Sequence, residues 1–98
     1  MSDFVKLLVN IAEEHANSRG YDLSAEFEDF LIQLIGESQS EFDVNHREHQ
    51  IKLDLAKRNV RLLIDRIIQK LPPDEKIIKM HEWIHGLKDW ICPLFPFC

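Results

Sequence analysis

Apolar positions recur along this chain mostly in steps of three and four, the spacing of one face of an α-helix. Phe4, Leu7, Leu8 and Ile11 form such a face behind Ser2, a residue type that caps helix starts, and Gly20 supplies a stop. The spacing predicts a first helix ending near Ser18. Asp22-Leu23-Ser24 then opens a second, with a stripe of Phe27, Phe30, Leu31, Leu34 and Ile35, that ends near Gly36.

The third element is the longest. Phe42, His46, His49, Leu53, Ala56, Val60, Leu63 and Ile67 alternate steps of four and three. That heptad seam predicts a helix over about 43–71, stopped by Pro72-Pro73. Ile51, Leu55 and Leu62 make a narrower strip on nearly the opposite side, so this helix is expected to pack on two sides. Pro72-Pro73-Asp74-Glu75 puts proline near a first helical position and acids in the first turn, predicting a fourth helix to about Ile91. Ile77, Met80, Ile84, Leu87 and Ile91 are its face, widened by Trp83 and Trp90. Residues 92–98, CPLFPFC, are an apolar tail whose prolines keep it from being helical throughout.

The expected fold is all-α: a four-helix domain with one long central helix and a C-terminal helical hairpin. It reads as a single domain over 1–98. An acidic helical pair occupies about 1–40, the long helix and its successor 41–91, and the tail 92–98. If sequence neighbours pack antiparallel, the first two helices cover the first half of the long helix. Its second half and the fourth helix are then too few to hide Val60, Leu63, Ile67, Ile77 and Ile84 from water. A second copy would complete a four-helix bundle there, so these five residues are the expected homodimer seam. The rival is a folded-back monomer in which the first helix or the tail covers that surface.

Composition agrees with a globular helical chain: 98 residues, 45% apolar and 30% charged, with three Gly and four Pro. No apolar run approaches the roughly eighteen residues of a membrane span, and the acidic N-terminal stretch lacks the basic region of a secretory signal. With two Cys, both near the end, the expected location is cytoplasmic. Charge is unevenly spread. Residues 1–45 hold ten acids and two bases, a net −8, while 46–98 hold seven acids and ten bases, a net +3. The bland account is that the two halves neutralise each other. The long helix's bases are scattered round its circumference, which does not point to nucleic acid.

The stretch KMHEWIHG contains H-E-x-x-H, the pattern of zinc peptidases, in His81, Glu82 and His85. In this composition it arises by chance in about one chain in fifty, and no His or Glu follows to serve as a third ligand. His81 and His85 with Cys92 and Cys98 would make a two-nitrogen, two-sulfur set, so structural zinc is the alternative cofactor to none. His46 and His49 on the seam read as interface residues rather than ligands. No Gly-rich phosphate loop or nucleophile turn occurs, and no catalytic residue is assigned.

Trp83, Trp90, Leu94, Phe95 and Phe97 are the aromatic and apolar residues expected to bind another protein. The function expected from sequence is therefore a non-enzymatic protein–protein interaction module: an adaptor, assembly factor or small inhibitor. Its acidic half would suit a partner with a basic surface. A zinc-stabilised regulatory domain is the second reading and an H-E-x-x-H metallopeptidase the third.

Overall fold

The computed structural model of the chain describes residues 3–38 and 46–86. Within them the fold is mostly helical: α1 (Asp3–Ser18), α2 (Ala25–Ser38), α3 (His46–Lys70) and a short α4 (Glu82–Gly86). Between them lie two-residue strands, β1 (Asp22–Leu23) and β2 (Ile77–Ile78).

Helix α1 ends where Gly20 was expected to stop it, and the mechanism is visible. Gly20 adopts φ +85°, the left-handed region that glycine enters without a Cβ clash. Its N–H donates to Asn17 C=O at 3.0 Å, and Tyr21 N–H donates to Ala16 C=O at 2.9 Å. That pair of bonds is a Schellman motif. It satisfies two terminal carbonyls and turns the chain into β1. Ser24 then caps α2: its Oγ accepts from Phe27 N–H at 3.1 Å, while its carbonyl accepts from Glu28 N–H at 3.0 Å.

The core forms where α1 packs against both α2 and α3. From α1 come Val5, Leu8, Val9, Ala12 and Ala16; from α2 come Phe27, Leu31, Leu34 and Ile35. From α3 come Ala56, Val60, Leu63, Ile64 and Ile67, which contain the second half of the heptad seam. Ala12, Ala16 and Ala56 carry minimal side chains, which allows the helix backbones to approach closely. Phe42 lies outside the described residues, and the side chains of His46 and His49 are outside the description too.

Two expectations need correction. Helix α1 reaches the second half of α3, and Val60, Leu63, Ile67 and Ile84 are all 0% exposed within one chain. The exposure argument for a dimer seam therefore fails for these four; of the five, only Ile77 stays exposed, at 44%. Within one chain, α1 lies over this surface. The antiparallel-neighbour register missed it because α1 packs on α3 as well as on its sequence neighbour α2.

The second correction concerns 72–81, expected to be helical. Glu75 N–H donates to Pro72 C=O at 3.1 Å, closing a β-turn with Pro73 at its favoured second position. The chain then extends. Asp22 N–H donates to Lys76 C=O and Ser24 N–H to Ile78 C=O, each at 2.9 Å, pairing β1 with β2 in parallel. Ile77 faces out and Ile78 in, the alternation of a strand. A proline start is equally good for a turn, and two consecutive β-branched residues favour the strand once β1 offers backbone partners. Only Glu82–Gly86 of the expected fourth helix is helical among the described residues; 87–98, with the tail, lies outside them.

These positions separate the core from a seam experimentally. Leu63→Ala is expected to lower the unfolding free energy by about 2–5 kcal/mol in urea titration, by lost burial and an unfilled cavity. Leu62→Ala, next to it but 37% exposed, is expected to change stability by no more than about 0.5 kcal/mol. A Leu63→Ala chain of normal stability that loses a dimer would restore the seam.

Candidate functional site

Polar side chains gather at three places on this scaffold. The first locks α1 to α3. His15 and Arg19 lie one helical turn apart at the C-terminal end of α1, and both reach Asp65 on α3. His15 Nε2 is 2.7 Å and Arg19 Nε 3.2 Å from the same oxygen, Asp65 Oδ1. A carboxylate only accepts, so His15 carries its proton on Nε2. Burial pushes the Asp65 carboxyl up, but the hydrogen bonds and positive charge of His15 and Arg19 outweigh it and hold it below 3.8.

The second cluster surrounds the sequence HEWIH. Ile84 N–H donates to His81 C=O at 2.9 Å, so His81 stands at the entry of α4 rather than inside it. Its ring stacks on Trp83, with centroids 5.4 Å apart and planes 8° from parallel. His81 Nε2 is shielded from solvent and lies 3.5 Å from Glu75 Oε2 without a hydrogen bond. Lys79 Nζ is 3.8 Å from the other Glu75 oxygen, and Lys70 Nζ sits 5.6 Å from the Trp83 ring centroid. The arrangement fixes an aromatic shelf at the end of α3.

The third place is a carboxyl pair. Glu28 on α2 faces Glu13 on α1, and hydrogen bonding to Glu13 is the largest of the influences that favour the protonated form of Glu28. That bond, with burial and the charges of Glu13 and Asp29, raises Glu28 from 4.5 to about 7.

Apolar surface remains outside the core. Leu7 on α1 and Leu62 on α3 are each 37% exposed, and Ile77 on β2 44%. Leu55 and Leu62 belong to the second strip of α3, which the sequence suggested would be buried. Leu55 is half-buried and Leu62 exposed, so that strip is an outer surface among the described residues. The side chain of Ile51 is not described.

The structure therefore brings together residues the sequence did not single out. His15, Arg19 and Asp65 are fifty and forty-six positions apart. The available signal was a His in the last turn of one helix and an Arg four residues on, just past its end, opposite a helix with few acids. Of the expected partner-binding residues, Trp83 is half-buried against the core. Trp90, Leu94, Phe95 and Phe97 lie outside the described residues, as do Cys92 and Cys98. Of the expected zinc ligands only His81 has a described side chain, and its neighbours are Glu75 and Trp83. Among the described residues no three His, Cys, Asp or Glu side chains converge, and no helix is long and apolar enough to cross a membrane. Compared with protein-family models, curated proteins and solved structures, the chain matches none.

The two titrating clusters have opposite signatures. Glu28 binds its proton more tightly folded than unfolded, so stability falls as pH rises from about 4.5 to about 7. Glu28→Gln should remove that slope, leaving the variant more heat-stable than wild type at pH 8 and no better at pH 4. Asp65 is the reverse: its contribution is present above 3.8 and lost as pH falls through its lowered folded value. Asp65→Asn should cost about 1 kcal/mol at pH 7, the worth of a part-exposed charge-assisted contact, and progressively less in acid. Thermal melts from pH 2 to 8 read both.

Proposed function

We propose that this chain is a non-enzymatic protein–protein interaction module whose binding surface is the outer face of α3. The observation that supports this is the strip of Leu55 and Leu62 left at the surface of a helix whose opposite face is fully buried. An isolated exposed leucine is ordinary, but one seven residues from a second, along one ridge, is the pattern by which helices recognise helices. Rigid backing by the core reduces the ordering cost of association. Ile77 and the Trp83 shelf extend the apolar surface near the end of α3, and the tail residues Trp90, Leu94, Phe95 and Phe97 are assigned to the same role. The module works without a bound metal and within the cytoplasm.

The test is photo-crosslinking in the cells of origin. Benzoylphenylalanine in place of Leu62 should give one or a few discrete protein adducts, and the same group in place of exposed Asn10 on α1 should give none. Equal labelling from both positions would retire the α3 surface. Metal is tested separately: adding a chelator should leave the melting temperature unchanged. A sharp fall would transfer the fold to the zinc-stabilised reading with His81, His85, Cys92 and Cys98, because metal binding would then be folding energy. Cleavage of a peptide library that disappears in Glu82→Gln would favour the peptidase.

A further inference from the structure

We infer that the α3 surface takes a second copy of this chain, through the acidic outer face of that copy's α2. The inference rests on the interaction reading above and names its occupant. It begins from the charges left over once the fold is made.

The halves of the chain carry net charges of −8 and +3, and sequence alone suggests that they neutralise each other across the α1–α3 contact. The ion pair described there has the opposite sense: His15 and Arg19 from the acidic half bind Asp65 from the basic half. That pairing consumes one of the acids of α3 and one of the few bases of the first half. Among the described residues, acids Glu26 and Asp29 on α2 and bases Arg58 and Arg61 on α3 face outward.

On α3, exposed Arg58 and Arg61 lie to one side of the Leu55–Leu62 ridge, with exposed Asp54 between them and half-buried Lys57 beyond Arg61. On α2, exposed Glu26, Asp29, Gln33 and Gly36 follow steps of three, four and three, one continuous ridge facing solvent. Half-buried Phe30 and Ile32 border it. The ridge carries acids and no base. It spans about 15 Å at a 1.5 Å rise, against about 21 Å for Leu55 to Gln69, so one fits along the other. Within a chain they cannot meet, because α2 and α3 each pack on α1 and scarcely touch one another. A second copy presents α2 to α3; about a two-fold axis the contact is made twice and closes a dimer, whereas a one-way contact would chain copies head to tail. Leu62 is then covered beside Phe30 and Ile32, while Glu26 and Asp29 lie near Arg58 and Arg61.

The measurement is sedimentation velocity of the full-length chain at 5–500 μM, in 50 mM and 500 mM NaCl. Reversible dimerisation is expected at low salt, with the dissociation constant rising at least about tenfold at high salt, since exposed charge pairs are screened. Arg58→Glu with Arg61→Glu, and separately Glu26→Lys with Asp29→Lys, should each be monomeric yet folded by circular dichroism. Mixing these two variants should restore a heterodimer, because each supplies the charge the other lost. Leu62→Asp should be monomeric with near-normal melting. A monomer at every salt and concentration overturns the self-association while leaving crosslinks from position 62 to another protein free to support the interaction module. A dimer that ignores all three sets of substitutions overturns it as well. A Leu62→Asp chain that stays monomeric like wild type but melts much lower means the surface is covered from within the chain, and overturns both readings.

Discussion

Everything in this fold follows from the need to cover one face of α3. Val60, Leu63, Ile64 and Ile67 cannot stay in water, and at roughly 1.5–3 kcal/mol per buried side chain their cover dominates the energetics. Helix α1 provides it. Its inward residues include Leu8 and the two alanines Ala12 and Ala16, large enough to fill and small enough to approach. Asp65 sits at the rim of that contact, where hydrogen bonds from His15 and Arg19 lock the rotation of one helix against the other. Once α1 lies there, its glycine-ended turn delivers Asp22 and Leu23 beside the chain that leaves α3. The two-residue parallel pairing is the consequence rather than the cause.

How far this could be read from sequence depends on how local the cause is. The span of α1, the glycine stop, the opening of α2 after Asp22-Leu23-Ser24 and the end of α3 near Lys70 were legible because each is decided within a few residues. The stretch after Lys70 was not. Pro72-Pro73-Asp74 suits a helix start and a turn alike, and the choice was made by backbone groups of β1, more than fifty residues earlier in the chain. The same non-locality hid the cover of α3. A heptad seam states that a helix needs a partner without saying which one, and α1 of the same chain fills that place.

The polar clusters show the same division. His81 was visible as half of an H-E-x-x-H pattern, but that pattern assumes both histidines ride one continuous helix. With His81 at the entry of α4, its ring is held by the Trp83 stack and by Glu75, a residue of the preceding turn. Asp65 and the Glu13–Glu28 pair depend on which helices meet, and periodicity does not report that. Each nonetheless sits where the two sides of the core join, α1 with α3 and α1 with α2. Proton-sensitive contacts thus bracket α1 on both sides, with opposite responses to pH.

Charge asymmetry is where local and non-local causes meet. A chain with acids in one half and bases in the other could neutralise itself, and the simplest fold would place the two surpluses face to face. This fold places an apolar interface there and spends a reversed ion pair at its edge. An interface made of apolar side chains needs no charges to specify it, and among the described residues Glu26 and Asp29 on α2 and Arg58 and Arg61 on α3 are left exposed. Exposed opposite charges on separate helices contribute little to folding when they lie far apart in salt. They do fix which surfaces of two molecules approach, because association rates and orientations follow the outer field. In the proposed self-association the leucines of the α3 strip would supply the short-range term that charge alone lacks.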